Sequence, residues 1–126
     1  MGYDCNPLGD RILKNTAITF IEFDKDLTKD FVGILGLEGK RKIENAIQEN
    51  ILSKSKLFRK TYKRRFELNN KGKRGGCRLI YWHSRDELIV VFIYLYAKNE
   101  KDNLNKDEMK YLKLVVLELE RKYDGC

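Results

Sequence analysis

Several things are scarce in this sequence, and each shortage narrows the field. Its 126 residues hold three cysteines, Cys5, Cys77 and Cys126. They have no metal-ligand spacing, and an odd count argues against a disulfide framework. No apolar run exceeds Leu88 to Ala97, about half a membrane span. The N-terminus lacks the basic-then-apolar layout of a signal peptide. These absences predict a soluble, reduced, cytoplasmic protein with no membrane partner. Phosphate loops of the nucleotide-hydrolase type are excluded as well. Gly33 to Lys40 has glycines near a lysine, but Arg41 stands where a Ser or Thr would hold magnesium.

Acids are missing where cations are densest. From Lys54 to Arg78 there are eleven Lys and Arg residues and one acid, Glu67; elsewhere 15 cations face 18 acids. The whole net charge of +7 therefore sits in one window, as a phosphate footprint would have it. No pair of carboxylates lies in that window, so glycosidase-type or two-metal chemistry has no candidate ligands there. Neither a metal nor another cofactor is expected. The one histidine, His83, alternates onto the strand face opposite Arg78, where a lone imidazole is more often structural.

What is present supports a core. Apolar residues make up 42% of the chain, with seven Tyr and six Phe, enough for one domain that buries roughly two-thirds of its unfolded surface. Residues 1–15 show no periodicity and are set aside as an N-terminal extension of unknown role; 16–126 form the single domain. Ala17 to Phe23 alternates as a strand. Leu27, Phe31, Ile34 and Leu35, then Ile43, Ala46, Ile47 and Ile51, fall at helical spacing around Gly36 and Gly39, giving two short helices or one broken helix. From Thr61 the period becomes two: Tyr62, Phe66 and Leu68 on one side, Lys63, Arg65 and Glu67 on the other. Arg64 interrupts the apolar side, which suggests a strand end or a partly exposed edge. Asn69 to Gly76 supplies a turn, Cys77 to His83 the next strand, Asp86–Glu87 a second turn. Leu88 to Ala97, apolar on both faces, is predicted to be the most central strand. A last helix is signed by Asn105 and Glu108 as a capping box, with Leu104 stapling onto Met109. The order predicts an α+β domain: a small antiparallel sheet built as strand, helix, helix, three-strand meander, helix.

The candidate chemistry is a basic constellation. Lys63 and Arg65 share one strand face and Arg78 lies on the facing strand of the same hairpin. Lys71, Lys73 and Arg74 occupy its glycine-rich tip, and Lys98 follows Tyr94 and Tyr96. Fixed cations suit phosphoryl chemistry in which the ribose 2′-hydroxyl attacks, because they stabilise the negative charge of a pentavalent phosphorane. A lysine crowded by cations can serve as general base. From the residues alone, phosphate binding without chemistry stands equally open.

These motifs are familiar in combination. Lys63-x-Arg65, then Lys71-Gly72-Lys73-Arg74-Gly75-Gly76-x-Arg78-x-Ile80-Tyr81, then Tyr96-x-Lys98-Asn99-Glu100 with Leu104 before a terminal helix, resemble the RelE/ParE superfamily of bacterial toxins, closest to the HigB branch. The resemblance is dense from Lys60 to Lys113 and leaves out the first fifteen residues. It implies a ribosome-dependent mRNA endonuclease, or mRNA interferase, that cuts translated mRNA in the ribosomal A site without a metal. It also implies silencing by a cognate antitoxin, a HigA-like helix-turn-helix protein that brings operator DNA into autoregulation. By the same matching Lys63, Arg65, Arg78 and Lys98 are the catalytic candidates; Lys60, Lys71, Lys73, Arg74, Tyr96 and His83 are candidates for holding RNA. Asn99 and Asn105 stand where RelE proper has an arginine and a base-stacking tyrosine, so Tyr94, Tyr96 or His83 would have to substitute. The competing readings are a non-cleaving gyrase poison of the ParE type and a plain RNA-binding module.

Overall fold

The structure is a computed structural model, and it describes residues 17–34, 36–53, 55–67, 76–97 and 103–125. In chain order the elements are β1 (Thr19–Glu22), α1 (Asp26–Ile34), α2 (Gly36–Glu49), β2 (Ser55–Phe58), β3 (Thr61–Glu67), β4 (Gly76–His83), β5 (Ile89–Ala97) and α3 (Lys106–Tyr123). Five strands form one sheet in the order β1-β5-β4-β3-β2. The α+β class expected from the sequence is what the chain adopts.

Two particulars of the sheet differ from the sequence reading. β1 pairs parallel with β5, Thr19 opposite Ile89 and Glu22 opposite Phe92, while the other three pairings are antiparallel. α1 and α2 carry the chain from β1 at one edge of the sheet to β2 at the other. The antiparallel run β2-β3-β4-β5 then brings β5 back beside β1 in the parallel sense, which a single hairpin cannot do. β2, only four residues long, is an added edge strand with two exposed residues followed by two half-buried ones and so carries little periodic signal. Its presence makes β3 an interior strand. Arg64 is accommodated there by donating to Asn50 O at 2.7 Å and lying over the Phe66 ring, 5.3 Å from its centroid. The middle strand is β4; β5 lies beside it.

Each sheet face carries its own core. On one, Leu27 and Phe31 of α1 and Ile43 and Ile47 of α2 pack with Tyr62, Cys77, Leu79, Tyr81, Val90, Phe92 and Leu95. On the other, Leu112, Val115, Val116 and Leu119 of α3 cover Ile80, Trp82, Val91, Ile93 and Tyr96. Fully buried side chains of this size each contribute about 1.5–3 kcal/mol. Burial also pushes the Cys77 thiol up to about 11, leaving it protonated and unreactive.

Helix ends follow local chemistry. Gly36, at φ 77°, takes the left-handed conformation that separates α1 from α2; Gly39 lies inside α2 and breaks nothing. Residue 35 and the side chain of Ile34 lie outside the described residues. α3 begins with the expected capping box: Asn105 Oδ1 accepts from Glu108 N at 2.8 Å, and Glu108 Oε1 from Asn105 N at 3.0 Å. Leu104 and Met109 both pack against the α3-side core.

A β-bulge has the largest consequence for function. Along β4 and β5 the register runs His83↔Val90, Trp82↔Val91 and Tyr81↔Phe92, then slips by one, so that Ile80 meets Tyr94 and Arg78 meets Tyr96. Simple alternation would put Tyr94 and Tyr96 on the same face as Val90 and Phe92. The extra residue reverses the alternation, and both tyrosines join the face that α3 covers.

Candidate functional site

The window of eleven cations is divided by the sheet. On the α3 side of the far end of the β3–β4 hairpin, Arg65 lies directly opposite Arg78, and Arg78 lies directly opposite Tyr96. One row along are Lys63, Ile80 and Tyr94. Direct cross-strand neighbours have Cβ atoms about 5 Å apart, and rows on one face are about 7 Å apart. Arg65 is exposed, while Lys63 and Arg78 are half-buried. Arg65 and Arg78, directly opposite in register, bring like charges together on one face. The row is a cationic stretch of this sheet face at the end where α3 begins, to which the positive pole of the helix adds.

Two features of this cationic row are invisible in the sequence. Lys63 Nζ donates to Asn103 Oδ1 at 2.9 Å, an amide from the segment that leads into α3. Tyr94 forms an edge-on ring contact with Tyr111, centroids 6.5 Å apart. Burial, then Glu108 and Tyr111, pushes the Tyr94 hydroxyl above its ordinary value, so it remains a proton donor at neutral pH. Asn103 could not be found by periodicity, since it lies in a loop between recognisable elements.

Not every predicted site residue joins this row. Lys60 sits in the β2–β3 turn with φ 50°, five residues from Arg65 and so about 17 Å along the strand. Its ammonium pairs with Glu120 at 3.3 Å and Asp124 at 3.5 Å; it anchors the end of α3. His83 lies at the same remote end, on the opposite sheet face. It is 5% exposed, stacks on Tyr62 with centroids 5.7 Å apart, and its Nδ1 lies 2.8 Å from Ser84 O. Burial pushes its pKa below the ordinary value. Tyr96 is in the row, but the residue is only 4% exposed and is packed in the α3-side core. Asn105 is committed to capping α3. Lys71, Lys73, Arg74 and Lys98 lie outside the described residues. Among the described residues no cluster of acids, His or Cys is arranged to hold a metal, and no helix is long and apolar enough to cross a membrane.

The chain is thus an α+β protein with cations gathered at one end of a hairpin, and comparison with known families narrows the class. Residues 39–123 match the family described as the RelE toxin of the RelE/RelB toxin–antitoxin system. The match covers more than half of the chain and includes the whole hairpin, β5 and α3. The chain belongs to this family: it is a toxin of a toxin–antitoxin system, and a cognate antitoxin is its partner. No curated protein matches the chain.

Proposed function

We propose that this toxin is a ribosome-dependent endoribonuclease that cuts translated mRNA in the ribosomal A site and so stops translation. The observation that carries the reading is the row Arg65–Arg78 with Lys63 one step along, three cations from two strands on one face. The reaction needs no group beyond side chains and the RNA itself. A ribose 2′-oxygen loses its proton to a base and forms a bond to the adjacent phosphorus. The P–O5′ bond then breaks, leaving a 2′,3′-cyclic phosphate, and the 5′-oxygen takes up a proton. Arg78 and Arg65 donate to the non-bridging oxygens, whose negative charge grows as the phosphorane forms. Lys63 contributes a further charge or, in its neutral form, the base. Tyr94, held protonated, is placed to supply a proton. Lys98 and the tip cations Lys71, Lys73 and Arg74 add to the grip on RNA.

The glycine-rich basic turn and the Tyr96-x-Lys98-Asn99-Glu100 stretch favour the HigB branch, with a HigA-like helix-turn-helix antitoxin and a cytoplasmic site of action on ribosomes. Primer extension on mRNA under translation, after induction of the toxin, tests the reading. Discrete new ends carrying 2′,3′-cyclic phosphate are expected. Growth arrest without new ends would replace the nuclease with a non-cleaving inhibitor.

A further inference from the structure

Lys63 and Lys60 stand on or beside the same strand, three residues apart, yet they are held differently. Lys60 meets two carboxylates. Lys63 meets the neutral amide oxygen of Asn103, from forty residues downstream, at 2.9 Å, and no described carboxylate pairs with it. Asn103 is exposed and lies just ahead of the capping box, so core packing does not explain an amide at this position. A lysine side chain has four rotatable carbons and loses much rotamer freedom when it is fixed. A neutral acceptor can fix it without cancelling its charge, whereas a carboxylate would compete with a phosphate for the same ammonium.

We propose that Asn103 is a positioning residue, holding the Lys63 ammonium over the Arg65–Arg78 row with its charge undiminished for an RNA phosphate. The inference rests on that row being the phosphate site. The capping box gives Asn103 its fixed base: Asn105 and Glu108 lock the first turn of α3, and the preceding residues reach back to β3.

Two measurements test it. In single-turnover cleavage on purified ribosomes, Asn103→Ala is expected to lower kcat roughly tenfold with KM nearly unchanged, and to have no further effect in a Lys63→Ala background. Asn103→Asp keeps the acceptor but adds a charge, and should weaken RNA binding instead. Equal losses from Asn103→Ala in both backgrounds would overturn the proposal. The second measurement needs no cleavage: NMR of the Lys63 side chain with inorganic phosphate as probe. The order of the Lys63 ε-methylene and its response to phosphate should both fall in Asn103→Ala, while order is retained in Asn103→Asp. Unchanged order and response in Asn103→Ala would refute the positioning role. A wild-type protein that fails to cleave would refute the nuclease reading and leave the NMR result to decide the role of Asn103.

Discussion

At the end of the sheet where β2 turns into β3, Arg59 and Lys60 both meet Glu120, Lys60 also meets Asp124, and Arg85 donates from its backbone N to Asp124 Oδ1 at 2.9 Å. At the other end Arg65 and Arg78 face each other across two strands and Lys63 meets an amide. The side chains are of the same kind, drawn from one basic window. At the first end α3 supplies acids and the cations become fasteners, and the Arg59 guanidinium holds Glu120 below the ordinary carboxylate range. At the second, α3 presents its capped N-terminus, and Lys63 meets an amide in place of a carboxylate. Local charge density thus says how many cations there are, and the helix laid across the sheet decides what each of them is for.

The comparison can be broken most severely at Arg78. Arg78→Ala should lower cleavage by about 10²–10³-fold, the usual loss when one donor to a developing oxyanion is removed, with the melting temperature little changed. Undiminished cleavage by the folded variant would remove Arg78 from the proposed chemistry. Next in size is Gly76, where an added Cβ would lie 2.0 Å from the Phe66 carbonyl oxygen. Gly76→Ala should cost about 3 kcal/mol in denaturant unfolding, because backbone, which cannot rotate away, is what it strikes. Glu120→Gln attacks the fastened end. It should lower the melting temperature by about 4 °C and leave the proposed cleavage by the folded toxin unchanged, and the loss should shrink in high salt.

The smallest effect is that of His83. Its pKa is lowered in the fold from the ordinary 6.5, chiefly by burial, so the unfolded chain binds a proton first as pH falls. Stability should therefore decline from about pH 6.5 downward and level off below the folded value. Glu120, ordinarily at 4.5 and lower in the fold, loses its contribution only in a more acidic range. A His83→Gln variant whose stability keeps the same slope between pH 6.5 and 5 would show that another group titrates there.

Much of the fold was legible because it depends on local pattern. The capping box at Asn105, the apolar stripe of α3, the period of two after Thr61 and the turn at Asp86–Glu87 are all written within a few residues. β2 was not legible, being short and at the sheet edge, nor was the parallel pairing of β1, which depends on where the four-strand meander brings β5. For the candidate site, the hairpin placed Arg65 and Arg78 on facing strands with Lys63 close by, as hairpin register requires. Lys60 and His83 belong elsewhere because a strand of seven or eight residues separates its two ends by about 20 Å, a distance that proximity in sequence conceals.

By itself the sequence determined the order of every element but β2, the two apolar faces and the confinement of surplus positive charge to one window, since each follows from spacing along a chain of known geometry. Tertiary structure alone decided which cations were neutralised, through the position of Glu120 and Asp124 on α3, and brought Asn103 to Lys63 across forty residues. It also decided, through one bulged residue opposite Ile80, that Tyr94 and Tyr96 share a face with Arg78. A single-residue slip in a period-two structure inverts every side chain beyond it, and only the paired strand records where that slip occurs.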